Sequence, residues 1–143
     1  MTDKIKVGLI FGGNSSEYEV SIMSAHNIYE EIDTNKFDVY PMWITNDGYL
    51  ANDADSRKVL DNPKMEVANP HKVANISNIV ELKDRPEIDV FFPIVHGNLG
   101  EDGCLQGLFR VLDKPFVGDD VLAAAVTMDK EICLLYTSDA ADE

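Results

Sequence analysis

The sequence has few cysteines, and it has no long hydrophobic run. Its two cysteines, Cys104 and Cys133, stand at unrelated spacing, which is typical of neither a disulfide framework nor a metal motif. Such sparing use of cysteine favours a reducing compartment, so we expect a cytoplasmic protein. No apolar stretch reaches the length of a membrane span, and no signal-peptide pattern follows the first lysines. We therefore expect no membrane partner.

Basic residues are also scarce. Twelve lysines and arginines stand against 26 aspartates and glutamates, which gives a formal net charge of -14 at pH 7. Because binding to phosphate backbones depends on lysine and arginine, this charge argues against nucleic acid and anionic lipid as partners. An anionic ligand would need local help from a helix dipole or a placed lysine. The 143 residues, 45% of them hydrophobic, are enough for one globular domain but not for two full ones.

Apolar runs alternate with helical periods along the chain. Residues 5–11 and 37–44 have the pattern of strands, and Ile22, Ala25 and Ile28 recur between them at helical spacing. A strand, a helix and a strand in succession predict a right-handed βαβ unit. Further strands are expected at 89–95 and 115–117, and further helices at 105–112 and 121–126. The predicted fold class is α/β, with an open, mainly parallel sheet flanked by helices.

The middle of the chain is polar and irregular. After an Asn-Asp-Gly turn at 46–48 we expect a short strand at 49–50, one or two helical turns at 55–60 and another strand at 79–82. The region from 51 to 86 is predicted to be an excursion outside the main sheet. We expect His71 to be an exposed loop residue, His26 to make local packing or solvent contacts, and Pro41 to mark an edge or a bulge.

A glycine turn follows the first predicted strand. Its residues are Gly12-Gly13-Asn14-Ser15-Ser16-Glu17, and a helix is expected to begin after them. Glycines let a backbone approach a ligand closely, and a helix N-terminus favours anions, so a binding site is one interpretation. The other is that Ser15 or Ser16 caps the helix while Glu17 complements its dipole. The turn alone leaves both interpretations open.

A second glycine loop follows the strand predicted at 89–95. It reads His-Gly-Asn-Leu-Gly-Glu-Asp-Gly over residues 96–103. Because loops at the carboxyl ends of parallel strands share one edge of the sheet, the two glycine loops should lie together. That edge would collect Glu17, His96, Glu101 and Asp102. Carboxylates there can hold an ammonium group, and a histidine can orient a substrate or move a proton. Alternatively, the acids cap a helix and the histidine makes a turn hydrogen bond. The spacing predicts no metal site.

Several motifs in one order resemble D-alanine-D-alanine ligases of the ATP-grasp family. These are residues 12–21 (GGNSSEYEVS), residues 96–103 with Gln106-Gly107, residues 115–118 (PFVG) and Met128-Asp129-Lys130. The resemblance covers Lys4 to about Ile132. It implies a Rossmann-like pre-ATP-grasp domain over residues 1–127 that binds substrate, followed by the start of a truncated ATP-grasp domain at 128–132.

The resemblance also implies a reaction. ATP phosphorylates the carboxylate of one D-alanine, and the amine of a second attacks the acyl phosphate to form the dipeptide used in peptidoglycan. By resemblance, Glu17 holds the ammonium of the first D-alanine, His96 belongs to the same subsite, and Glu101 supports it. Lys130 is assigned to ATP phosphate. The implied cofactors are ATP and Mg2+, with Mn2+ as an alternative metal and no metal ligand in this chain. The implied full-length enzyme is a homodimer.

The resemblance to the family stops near residue 132. Residues 133–143 resemble translated read-through of a transposase adapter used in sequencing libraries, so we expect a non-native tail there, with a natural divergent tail as the alternative. We expect this polypeptide alone to have no ligase activity. Two other functions stay open, namely a ligase that joins D-alanine to D-lactate or D-serine, and a non-catalytic domain that binds a small ligand or nucleotide.

Overall fold

A computed structural model describes residues 3–75 and 85–141 of the chain. In these residues five strands form one sheet in the order β4-β3-β2-β1-β5. The strands are β1 (Ile5–Gly12), β2 (Phe37–Ile44), β3 (Tyr49–Ala51), β4 (Lys72–Asn75) and β5 (Val90–Ile94). The described helices are α1 (Tyr18–Glu31), α2 (Asp53–Asp61), α3 (Cys104–Val111), α4 (Val121–Met128) and α5 (Lys130–Ala141).

The parallel part of the sheet is centred on β1, which pairs with β2 on one side and with β5 on the other. Side chains on both faces of β1 are buried, since Leu9, Ile10 and Phe11 are each at most 2% exposed. A strand covered on both faces needs a nearly continuous apolar run, which residues 5–11 supply. The predicted succession of strand, helix and strand is confirmed, and so is the predicted α/β fold class.

Two hydrophobic clusters lie on opposite faces of the sheet, because successive strand residues point in opposite directions. Leu9 and Phe11 contribute to the cluster under α1 and α2. Ile10 contributes to the cluster on the other face, where Phe109 of α3 stacks on Phe91 of β5 with ring centroids 5.0 Å apart. The apolar period at 105–112 is therefore confirmed as a helix that covers the sheet.

Helix α1 follows its predicted apolar face closely. Ile22 and Ala25 are buried, and Ile28 packs against the same cluster. His26 is half-buried, with Nδ1 2.7 Å from the carbonyl oxygen of Leu60. The packing role predicted for His26 is therefore confirmed.

Among the described residues of the region from 51 to 86, strand β4 belongs to the sheet, so the predicted excursion is wrong there. The turn at 46–48 reverses the chain, β3 pairs antiparallel with the end of β2, and β4 pairs antiparallel with β3. Helix α2 is longer than the turns expected at 55–60 because the Asn52 side chain caps it, accepting from the Asp55 N–H at 2.7 Å. His71 is exposed, as predicted. The strand predicted at 79–82 lies outside the described residues.

Pro41 lies within β2, an interior strand, so its predicted edge or bulge position is wrong for the strand as a whole. On the side away from β1, β2 pairs with β3 only at Ile44. There the Trp43 N–H donates to Ser56 Oγ at 3.1 Å, and the Arg57 guanidinium donates to the Val39 carbonyl at 2.7 Å. By the two-residue period, the missing N–H of Pro41 falls on this side, where α2 side chains replace a strand partner.

After α3, the chain continues into two further helices, α4 and α5. Phe116 makes an isolated parallel bridge with Phe91, where a short strand was predicted, and the Asp120 side chain caps α4 by accepting from the Val121 N–H at 2.7 Å. Helix α5 crosses residue 132, beyond which we predicted no element because the tail was excluded. Within the described ranges, no helix has both the length and the apolar character needed to cross a membrane.

Candidate functional site

The two glycine loops meet at the carboxyl ends of β1 and β5, as predicted. Ser15 Oγ, in the first loop, donates to the carbonyl oxygen of His96 at 2.9 Å. Ser21 Oγ, in the first turn of α1, donates to the carbonyl oxygen of Ile94. The loops therefore share direct hydrogen bonds and build one site at one edge of the sheet.

Glu17 stands at the N-cap position of α1, and its side chain makes no capping hydrogen bond. Its N–H donates to Ser15 Oγ at 3.2 Å. Because the N-cap residue is Glu17, the interpretation that Ser15 or Ser16 caps the helix is wrong. The Glu17 carboxylate is exposed beside the second loop, where a Cβ placed on Gly97 would lie 3.2 Å from Glu17 Oε2. The site thus presents a carboxylate to solvent directly above the backbone of Gly97.

His96 is held between two side chains. Its Nδ1 lies 3.2 Å from Glu101 Oε1, and its Nε2 lies 3.4 Å from Ser24 Oγ. Because a carboxylate only accepts hydrogen bonds, Glu101 favours the tautomer that carries the proton on Nδ1. The Nε2 lone pair then accepts from the Ser24 hydroxyl, and the orientation of the ring is fixed at both nitrogens.

Glu101 connects the histidine to the loop backbone. Its second carboxylate oxygen, Oε2, accepts from the Gly97 N–H at 2.9 Å. That N–H, together with His96, holds the pKa of Glu101 below its ordinary value, although partial burial acts in the opposite direction. An ionised Glu101 fits the supporting role predicted for it, since it fixes both His96 and Gly97.

Asp102 has a structural place at the start of α3. Burial alone would raise its pKa, but hydrogen bonds from the Leu99 and Cys104 N–H groups, at 2.9 and 3.0 Å, lower it below the ordinary value. These bonds hold a loop in which Leu99 has a φ of 70° and Gly103 a φ of 93°. Asp102 therefore satisfies the N–H of Cys104, the first residue of α3, although the N-cap position itself belongs to Gly103 and not to Asp102 as interpreted.

His96 and Glu101 line a cleft of about 450 Å³ between the end of β5 and helix α4. Gln106 also lines it, although only 6% of this residue is exposed; its Nε2 donates to the Gly100 carbonyl at 3.0 Å, and its Oε1 has no partner among the described residues. Glu101 and Asp119 are the charged residues of the described lining. Carboxylates in this position suit a ligand that carries a cationic or hydrogen-bond-donating group.

Lys130, the fourth predicted site residue, is not brought together with the others. It is the exposed first residue of α5 and does not line the cleft, although Met128 does. Over residues 3–75 and 85–141, no group of three or more His, Cys, Asp or Glu side chains could hold a metal ion.

A second cleft, of about 640 Å³, lies on the other side of α1. Tyr18, Trp43 and the segment 63–68 line it, and Trp43 Nε1 donates to the Tyr18 hydroxyl at 2.9 Å. Burial raises the pKa of Tyr18. Although this cleft is larger, it is lined by none of the predicted site residues.

The sequence analysis missed Ser21 and Ser24, which join α1 to the end of β5 and to His96 of the second loop, respectively. Ser21 is fully buried, and its Oγ also accepts from the Gly12 N–H at 2.8 Å. The helical period contained the signal, because Ser21, Ser24, Ala25 and Ile28 fall on one face of α1. Small polar residues on a helix face that packs against a sheet indicate hydrogen bonds from that helix to the strand ends.

Comparison with known proteins identifies the family. The family described as "D-ala D-ala ligase N-terminus" matches residues 6–119. The chain is 99% identical over 132 residues to the D-alanine--D-alanine ligase of Lactobacillus gasseri, and 51% identical over 140 residues to that of Levilactobacillus brevis. These matches cover 92% and 90% of this chain, but it spans only 37% and 36% of the length of those relatives.

Solved structures agree with the family match. The chain superposes on the VanG D-Ala:D-Ser ligase of Enterococcus faecalis with a TM-score of 0.74 at 34% identity, covering 97% of this chain and 43% of that one. It superposes on the D-alanine-D-alanine ligase of Coxiella burnetii with a TM-score of 0.72 at 29% identity, covering 96% and 42%. The chain therefore belongs to the D-alanine-D-alanine ligase family, whose amino-terminal domain it matches.

Proposed function

We propose that this chain supplies the first-substrate site of an ATP-dependent ligase that joins two D-alanines through an acyl phosphate for peptidoglycan synthesis. The observation that carries the proposal is the meeting of Glu17 and the His96–Glu101 pair across Gly97. An exposed carboxylate beside an oriented imidazole suits an amino acid, which presents an ammonium group. The 99% identity to a protein named D-alanine--D-alanine ligase supports this substrate.

In this proposal each residue has one task. The Glu17 carboxylate accepts hydrogen bonds from the ammonium group of the first D-alanine and neutralises its charge. His96 lies beside the same substrate as part of the first subsite, and Glu101 fixes the His96 ring and the loop backbone. Once held in this way, the D-alanine presents its carboxylate in a fixed direction, and such positioning lowers the entropic barrier to the phosphorylation step.

Lys130 is proposed to contact ATP phosphate as a point charge. The metal proposed for the whole enzyme is Mg2+, or Mn2+ in its place, and when bound it neutralises phosphate charge during transfer. We assign no metal ligand to this chain.

The remaining proposals concern the whole protein. We place the domain boundary after residue 127 and the start of the next domain at 128–132. We also propose that residues 133–143 are a non-native tail, and sequencing the coding region across residue 132 tests this. The full-length protein is proposed to be a cytoplasmic homodimer that binds D-alanine and ATP, and light scattering of the purified full-length protein measures the assembly directly.

The ligase proposal is tested on the full-length protein that contains this segment, supplied with ATP, Mg2+ and D-alanine. We expect phosphate release and D-alanyl-D-alanine, identified by mass spectrometry, even when D-lactate and D-serine are present. Preferential formation of a D-lactate or D-serine product would overturn the choice of second substrate, and absence of ATP turnover would overturn the ligase itself. The 143-residue chain alone is the control, and we expect it to release no phosphate.

A further inference from the structure

Ser21 joins the ends of two neighbouring strands. Its Oγ accepts from the N–H of Gly12, the last residue of β1, and donates to the carbonyl oxygen of Ile94, the last residue of β5. The ladder between these strands has its final pair at Phe11 and Ile94. The Ser21 hydroxyl, fully buried, thus continues the connection at the point where the strands separate into the two glycine loops.

Ser15 makes a parallel connection nearer to solvent. Its Oγ accepts from the Glu17 N–H at 3.2 Å and donates to the His96 carbonyl oxygen at 2.9 Å. The two residues proposed to contact the substrate are therefore linked through one hydroxyl group. We call Ser15 and Ser21 together the serine clasp.

The glycine turn does not fix this arrangement by itself. Gly12 and Gly13 have φ values of 92° and 98°, and glycine visits many other conformations at little cost. The position of Glu17 relative to His96 consequently depends on bonds outside the turn, and the clasp provides such bonds on both sides of it.

We propose that the serine clasp is a positioning device that sets the distance between Glu17 and His96 for the first substrate. Neither serine contacts the substrate in this proposal; each acts through the residue it holds. The proposal rests on the ligase function proposed above and deepens it, because it names the residues on which the geometry of the first subsite depends.

The chain offers a matched control for Ser21. Ser56 is likewise fully buried, and its Oγ accepts from a backbone N–H, that of Trp43, at 3.1 Å. It joins α2 to β2, whereas Ser21 joins the ends of β1 and β5, where the two glycine loops begin. Ser21→Ala and Ser56→Ala therefore remove the same kind of buried hydroxyl, but only the first change loosens the clasp.

The test measures steady-state kinetics of the full-length protein with Ser21→Ala, Ser15→Ala and Ser56→Ala. We expect both clasp variants to raise the KM for the first D-alanine, Ser21→Ala by about tenfold, because small displacements at a reacting site are costly. The KM for ATP should change less than about twofold in every variant, and Ser56→Ala should leave both constants near wild type. Ser15 is not fully buried, so Ser15→Ala carries the test if Ser21→Ala does not fold.

Hydrogen–deuterium exchange of the same proteins provides a readout that needs no turnover. The Gly12 N–H should exchange faster in Ser21→Ala, and the Glu17 N–H faster in Ser15→Ala. Unchanged exchange at both amides would overturn the clasp whether or not the protein is a ligase. In an active ligase, an unchanged D-alanine KM in both clasp variants, or an equal rise in Ser56→Ala, would overturn the positioning role while leaving the proposed function intact.

Discussion

Gly97 determines how closely the two loops of the site approach each other. Its φ of 76° lies in the left-handed region, where glycine is favoured over residues with a side chain. A Cβ at this position would lie 3.2 Å from Glu17 Oε2 and 3.3 Å from Ser15 Cβ. The absence of a side chain thus serves both the backbone conformation and the contact with the first loop.

Gly97→Ala should therefore destabilise the chain by about 1–2 kcal/mol, since it adds left-handed strain and crowds Ser15. Gly107→Ala is the control, because a Cβ there meets nothing within 4 Å in helix α3. That change should stabilise by about 0.4–1 kcal/mol by reducing the entropy of the unfolded chain. Urea denaturation of the chain measures both, and equal effects of the two substitutions would contradict the account of Gly97.

The hydrogen bonds of Glu101 make its contribution to stability depend on pH. The hydrogen bonds lower the pKa of Glu101 in the folded state. They therefore stabilise the fold at pH values above the unfolded-state pKa of about 4.3, and this stabilisation is lost as the pH falls through the lower folded-state pKa. Glu101→Gln should thus be less stable than wild type at pH 7, and the difference should shrink below about pH 4. Denaturation across this range measures it, with the exposed Glu30→Gln as control. A difference that is constant with pH would contradict the prediction.

At the scale of elements, α3 holds the second loop in place from below. Phe109 is fully buried and stacks on Phe91. The ring centroids of Phe109 and Phe116 are 5.6 Å apart. The same helix carries Gln106, whose amide holds the Gly100 carbonyl in the loop above it. Helix α3 therefore connects the packing of the sheet with the shape of the site.

Phe109→Ala should cost about 3–5 kcal/mol of unfolding free energy, because it removes a fully buried aromatic ring and leaves a cavity. Val111, in the same helix, is 84% exposed, so Val111→Ala should change the free energy by less than about 0.5 kcal/mol. Calorimetry of the two variants measures the difference. A small effect of Phe109→Ala would show that α3 does not pack on the sheet as described.

Elements with a strong period were predictable, and elements defined by distant partners were not. The bounds of β2, predicted at 37–44, follow from its own apolar pattern. Strand β4 carries no such pattern, since Lys72 and Val73 are both exposed, and it becomes a strand only because β3 offers an antiparallel edge. The edge position predicted for Pro41 was wrong for a related reason. On the side of β2 that Pro41 faces, side chains of α2 form hydrogen bonds with the strand in place of a neighbouring strand.

At the scale of the whole molecule, the parallel topology is what made the site predictable. Glu17 and His96 are far apart in sequence, and the rule that loops gather at the carboxyl ends of parallel strands was sufficient to bring them together. Their detailed geometry was not predictable, because it depends on the hydroxyls of Ser21, an ordinary helix residue in the sequence, and of Ser15, whose expected role was only to cap α1. Lys130 stands apart for a physical reason too: it begins helix α5, and no residue of α5 lines the described cleft.

The most direct test of the central claim is the KM for the first D-alanine in Glu17→Gln of the full-length protein. Loss of a hydrogen bond to a charged group costs about 1.5–3 kcal/mol, so this KM should rise about ten- to hundredfold while the KM for ATP is nearly unchanged. Glu19→Gln, an exposed acid in the first turn of α1, is the control and should behave as wild type. A D-alanine KM in Glu17→Gln equal to that of wild type would contradict the account.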